Sequence, residues 1–236
     1  MKPGQHQLMR EVEDAHWWYQ VLRGLVKDAL QRHAQGGRCL LDAGCGTGGM
    51  LARLPSWEAH GCDLAAEGVE LCRERGLRQV IVSSVHQMPY QDGFFDALLS
   101  LDVLYHARVD PVRALVEMRR VLAPGGLLIV NVPAFECLRG AHDDVVEGAR
   151  RYRLRSLMRL LTVQGFEVVE AHYWNAWLFL PLWLRRHTSR AEKGDLALPP
   201  AWLNRLLARI GRVDAALCRR WRMPFGSSAF VVARRQ

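Results

Sequence analysis

Short apolar runs alternate along this chain with stretches in which apolar residues recur every three or four positions. The runs near 38–42, 58–63, 79–83, 95–101 and 126–132 are too short for helices. They lack polar alternation, so they read as strands buried on both faces. The intervening stretches read as helices. One is expected from about Gln7 to His33, ending at Gly36-Gly37, and a shorter one at Met50–Leu54. Asp110-Pro111 starts another, with Asp as N-cap and Pro at the first helical position, and it stops before Pro124-Gly125-Gly126. A helix over about 153–164 puts Leu157, Leu160 and Leu161 on one side and ends at Gly165. A sixth strand follows from Phe166 to Ala171, and the last runs from Ser227 to Ala233. Strands separated by helices of this length predict an α/β fold with a mostly parallel sheet covered on both faces.

The end of the first strand carries the most specific pattern, Asp42-Ala43-Gly44-Cys45-Gly46-Thr47-Gly48-Gly49. Glycines between a strand and a helix let backbone approach a ligand where a Cβ would collide, and they aim helix N–H groups at it. Asp63 closes the second strand, where a carboxylate can accept both hydroxyls of a ribose. Read literally, Gly44-x-Gly46-x-x-Gly49 fits the dinucleotide fingerprint. Asp42 argues otherwise. Its charge repels a pyrophosphate and attracts an ammonium or sulfonium, by a few kcal/mol at an effective dielectric of about 20.

With Met88–Ser100 and Leu122–Val130, these residues resemble the class I S-adenosylmethionine-dependent methyltransferases, in their small-molecule and lipid-modifying branch. The resemblance covers roughly residues 10–175 and returns at the last strand. It implies a Rossmann-like, mostly parallel seven-stranded sheet with helices on both faces and a helical insertion before the last strand. The implied division is one domain: a lid helix (7–33), a core (36–175 and 223–236) and an insertion (176–222). S-adenosylmethionine is the implied cofactor. Gly44, Cys45 and Gly46 would line its methionine end beside Asp42, Asp63 would hold the ribose, and Leu64 would pack on the adenine. Ser84, Val85 and Leu101 complete that set. Many relatives carry an acid where Ser84 stands, so the adenine contact here would be weaker or supplied by backbone. The aromatic cluster Trp17-Trp18-Tyr19 has two readings: amphipathic packing of Trp17, Trp18 and Val21, or a lid whose aromatic faces would attract and shield a sulfonium. Tyr19 or Arg23 would reach the methionine carboxylate.

The insertion is where composition changes the picture. Tyr173 to Leu184 reads YWNAWLFLPLWL. As a helix its twelve residues reach only about 18 Å, short of the ~30 Å hydrocarbon core of a bilayer. Leu203, Leu206, Leu207, Ile210, Val213 and Leu217 recur at helical spacing, with Arg205, Arg209, Arg212, Arg219 and Arg220 around them. Residues 176–222 hold ten Arg/Lys and three acids, a net +7 of the chain's +8. An apolar, Trp-bearing surface ringed by arginine has the composition of an interfacial membrane helix. The expectation is a cytoplasmic protein with possible peripheral contact on the inner membrane face, and with nucleic acid disfavoured as partner. Packing on the sheet alone is the plainer reading of the same helices. The six cysteines are scattered without C-x-x-C spacing, as in a reduced thiol set, and no close histidine spacing indicates a metal.

Candidate bases follow the central strands, where open α/β sheets place ligands. Asp102 and His106 come after the fourth, and His142-Asp143-Asp144 after the fifth, ahead of Arg150-Arg151-Tyr152. A histidine titrating near about 6.5 could take a proton at neutral pH. Arg150, Arg151 and Arg153 could pair with a phosphate or carboxylate of the substrate. The leading expectation is a methyltransferase acting on a small or lipid-linked acceptor. An RNA methyltransferase that follows phosphates with the basic helices, and a non-catalytic nucleoside-cofactor-binding protein, stay open beside it.

Overall fold

The computed structural model describes residues 5–34, 36–140, 143, 147–188 and 198–236. Its seven strands are β1 (Cys39–Ala43), β2 (Glu58–Asp63), β3 (Val80–Val82), β4 (Phe95–Leu101), β5 (Leu122–Pro133), β6 (Phe166–Trp174) and β7 (Ser228–Arg235). They form one sheet in the order β3-β2-β1-β4-β5-β7-β6. β1, β2, β3, β4 and β5 pair in parallel, and β7 runs antiparallel between β5 and β6. β1 has β2 on one side and β4 on the other, so chain order reverses there, and the C-terminal ends of β1 and β4 are where an open α/β sheet places its ligand crevice.

Described helices cover both faces. α1 (Gln5–Val12), α2 (Trp17–His33), α3 (Ala66–Glu74), α4 (Pro111–Val121), α5 (Leu154–Val163), α6 (Phe179–Thr188) and α7 (Ala201–Trp221) follow in chain order. Alternate residues of a strand point to opposite faces. Leu40 accordingly joins a core built with α2, α3 and α7, while Leu41 joins one built with α4 and α5. The start of α4 is as expected: the Asp110 side chain accepts from the N–H groups of Val112 and Arg113, with Pro111 at the first position.

Two sequence expectations change. The helix expected over Gln7–His33 is two helices, broken at residues 13–16. There Glu13 turns into the interior, and His16 caps α2 by accepting from the Trp18 N–H. The helix expected at Met50–Leu54 is a single 3₁₀ turn, Leu51–Arg53. Leu54 and Pro55 end it before a second turn can form.

Candidate active site

The backbone after β1 is left-handed at Gly44 (φ 90°) and Gly46 (φ 54°), conformations that favour glycine. The N–H groups of Gly44 and Cys45 both donate to the Cys62 carbonyl, at 2.8 and 3.0 Å, folding the turn over the end of β2. A Cβ on Gly44 would collide with Val103, and one on Gly49 with the Glu13 carboxylate. Asp63 is tied in from the other side. Its two oxygens accept from the N–H groups of Gly46 and Ala65, each at 2.9 Å. Every carboxylate oxygen has a second lone pair, so the same carboxylate can still take hydroxyl donors.

Asp42 lies buried beneath this turn, and its Oδ1 has no hydrogen-bond partner. Burial, reinforced by the charges of Asp63 and Glu13, pushes its carboxyl up to about 7. A buried acceptor without a donor is costly, and a cationic donor would remove the cost. A pyrophosphate finds nothing comparable, because no α-helix starts at the glycine turn. These residues fit an adenosyl cofactor with a positively charged tail and do not fit a dinucleotide.

The break between α1 and α2 forms part of the site. Glu13 is buried with Arg75 as its ion-pair partner, and it accepts from the Thr47 hydroxyl inside the glycine turn. Burial still holds its carboxyl above the usual range, against the pull of Thr47 and Arg75. This bolt joins the N-terminal segment to the cofactor turn, and the turn's own motif gives no hint of it. Arg23 departs from expectation. Its two terminal nitrogens donate to the carbonyls of Glu13 and Asp14, at 2.9 Å each, so the guanidinium holds the α1–α2 turn. Tyr19 lies close enough to Glu13 and Asp102 that burial, with their charges, raises its phenol.

Leu64, just beyond β2, is 62 % exposed, and Ser84 and the buried Val85 follow β3. Ser84 Oγ is engaged with His86. Cys45 is buried against Cys72, and Leu101 ends β4.

Asp102 is the best-defined candidate on the acceptor side. It directly follows β4 with φ 55°, a strained value for a residue bearing a Cβ. The Asn131 amide nitrogen donates to both its oxygens, at 3.0 and 3.1 Å. The Asn131 oxygen in turn accepts from the indole N–H of fully buried Trp174 at 2.9 Å, which fixes the amide's orientation. Burial pushes Asp102 up to about 7, against the lowering effects of Asn131 and Arg151. Asn131 and Trp174 escape sequence reasoning, although Asn131 is the one polar side chain in the run Leu127–Val132.

His106 packs on Tyr105 with ring centroids 4.3 Å apart and the planes tilted by 34°, and its backbone bridges to Gly148. His142 lies outside the described residues. Asp143 and Arg151 form a buried two-pronged pair at 2.9 and 3.0 Å, so Arg151 is a structural cation and not the substrate ligand the sequence suggested. Arg150 donates to the Val109 carbonyl. Asn175, beyond the end of β6 on the same sheet edge, is fully buried with both amide atoms unpartnered.

Residues 41–130 match the model of a family described as a methyltransferase domain. Those residues carry a methyltransferase domain of the class I S-adenosylmethionine-dependent kind. A tRNA (carboxymethyluridine(34)-5-O)-methyltransferase of Arabidopsis thaliana is 37% identical over 102 residues, 42% of this chain and 25% of that protein. The chain spans about a quarter of the length of the first curated relatives it matches. Among solved structures, a possible histamine N-methyltransferase of Thermotoga maritima superposes with a TM-score of 0.64 at 18% identity, covering 98% of this chain and 95% of that one. A geranyl diphosphate C-methyltransferase of Streptomyces coelicolor, solved with S-adenosyl-L-homocysteine, gives 0.59 at 18%, covering 90% and 77%. At such identity these two likenesses speak for the fold. The cofactor is S-adenosylmethionine.

Proposed function

We propose that the chain transfers a methyl group to an oxygen or nitrogen nucleophile of a small or lipid-linked acceptor, with Asp102 accepting the proton. S-adenosylmethionine supplies an activated methyl group and a neutral thioether as leaving group. Asp42 meets its cationic tail, the Gly44–Gly46 backbone allows its close approach, and Asp63 accepts the ribose hydroxyls. Leu64, Ser84 and Val85 border the adenine. Cys45, Leu101 and Tyr19 wall the remainder and keep water out. The single observation carrying this reading is the Asp102 carboxylate, held by Asn131 at the end of β4 and poised near neutral pH. A base with pKa close to ambient pH is well matched to proton removal. His106, beside the same crevice on Tyr105, is the second candidate base.

A second reading has its own support. The relatives named tRNA methyltransferases, at 37% identity, favour a tRNA acceptor and go against setting nucleic acid aside. One experiment separates the two. Purified protein is given S-adenosylmethionine with a tritiated methyl group, a bulk lipid extract and a bulk tRNA fraction. Label extracted into organic solvent is the expected result. Label retained on tRNA would replace the first reading with the second, and label in neither, with S-adenosylhomocysteine bound normally, would remove both acceptors.

A further inference from the structure

α7 is turned the opposite way from an ordinary surface helix. The face packed on α2 and β6 is made of Asn204, Ala208, Gly211, Ala215 and Cys218, all buried. Gly211 sits so close to α2 that a Cβ there would run into Val21. The large apolar residues point outward. Trp202, Leu206, Ile210, Val213, Leu217 and Trp221 are all exposed, the two tryptophans at 64 % each and Val213 at 59 %. At 3.6 residues per turn these six fall within a sector of about 100° along some 30 Å of helix. Arg205, Arg209 and Arg212, all exposed, line one flank of that sector, and Arg220 lies at its edge. The helix's one acid, Asp214, caps the N–H groups of Ala176 and Trp177. The sequence-based reading of these helices as scaffold for the sheet therefore fails for the stripe, because the scaffold face is the small-residue one.

We infer that the outer face of α7 docks on an anionic lipid bilayer, lying in its interfacial plane. A continuous apolar stripe this long on a chain that leaves it open marks an interaction site. The flanking charge decides what covers it. A second copy would bring arginine flank against arginine flank. An RNA would find its phosphates matched, but a central band of Val, Ile and Leu in their path. An anionic leaflet satisfies both features, with apolar side chains in the acyl boundary, tryptophans at headgroup level and arginines on the lipid phosphates. No described helix is long and apolar enough to cross a membrane, and a helix lying flat needs no such length.

The docking helix also touches the lid. The Asn204 amide oxygen accepts from the Trp17 N–H at 2.8 Å, and its nitrogen donates to the Ala15 carbonyl at 2.7 Å. A membrane contact on α7 is thus one residue away from the turn that positions Glu13 and Tyr19. Leu180 on α6 and Phe225 add exposed apolar surface beside the Phe135–Phe179–Phe225 ring cluster that follows β5. The inference stands apart from the identity of the acceptor.

The full chain is sedimented with vesicles of phosphatidylcholine alone and of phosphatidylcholine with phosphatidylglycerol, across a salt series. Binding to the anionic vesicles, partly retained at high salt and accompanied by a blue shift of tryptophan emission, is expected. The double variant Trp202→Ser/Trp221→Ser should lose about tenfold or more in partitioning. Arg205→Glu/Arg209→Glu should lose the preference for the anionic mixture. Val163→Ser, which alters an exposed apolar residue off the stripe, serves as control and should bind as wild type. S-adenosylhomocysteine affinity, read on every variant, reports folding independently of the membrane. Wild-type protein that stays in the supernatant overturns the inference, as does a tryptophan variant that binds undiminished. A dimer or a tRNA complex that the tryptophan substitutions abolish, with no vesicle binding, overturns it too.

Discussion

At the residue scale, three carboxylates of the crevice carry different duties because their surroundings differ. Asp63 is held by backbone N–H donors on both oxygens and is ready for hydroxyls. Asp63→Ala should weaken S-adenosylhomocysteine binding by roughly 1.5–3 kcal/mol, the worth of charge-assisted hydrogen bonds. Isothermal titration checks it, and unchanged affinity in a folded variant would remove the ribose assignment. Asp102, with its pKa near 7, should place an acid limb on the rate. Activity rises with pH through about 7 as the carboxylate ionises. Asp102→Asn should abolish that limb and slow turnover by a factor of roughly 10² or more, while S-adenosylhomocysteine affinity stays near wild type. A surviving limb would transfer the role to His106. Asp42 and Asp63 were readable from spacing, since a strand end followed by glycines needs no distant partner. The grip of Asn131 on Asp102 was not, because those residues meet only when β5 is laid beside β4.

At the element scale, the break between α1 and α2 and the reversed polarity of α7 show what periodicity leaves out. Apolar spacing is satisfied by one long helix through residue 33, yet the cost of leaving Glu13 unpaired is avoided only by turning it onto Thr47 and Arg75. Neither partner is near it in sequence. Likewise the stripe Leu206, Ile210, Val213 and Leu217 has the right period for a core-facing helix. It faces out because α2 approaches Gly211 too closely for a Cβ, and the buried positions on either side of it are the small Ala208 and Ala215. Asn204→Ala should cost about 1–3 kcal/mol by stranding the buried Trp17 N–H, while the Ala15 carbonyl keeps the Gln20 amide as donor. Chemical denaturation measures the loss, and hydrogen exchange should rise selectively over residues 13–18. Uniform exchange across the chain would mean that Asn204 supports the fold generally and not the α1–α2 turn.

At the scale of the molecule, the raised carboxyl of Asp42 couples cofactor, pH and stability. A carboxyl whose folded pKa lies above its unfolded value binds more protons when folded, so its contribution to stability declines as pH rises between the two values. For Asp42 that window runs from 3.8 to about 7. Without cofactor, Asp42→Asn should therefore gain thermal stability over wild type as pH climbs from 4 to 7, by about 3 °C or more at neutrality, and no further above it. Scanning calorimetry across that range decides, and a pH-independent gap would mean that Asp42 is ionised throughout. The order of strands and helices, the glycine turn, the acids at the ends of β1 and β2 and hence the class of cofactor were determined by the sequence alone. Each rests on local backbone preference or on the period of an element, and both are written within a few residues. Which residue completes Asp102, what Arg23 and Arg151 hold, where the N-terminal helix breaks and which side of α7 meets solvent were decided by tertiary structure. Those depend on contacts between residues far apart in the chain, where burial sets the cost of every unpaired charge and the room left for every side chain.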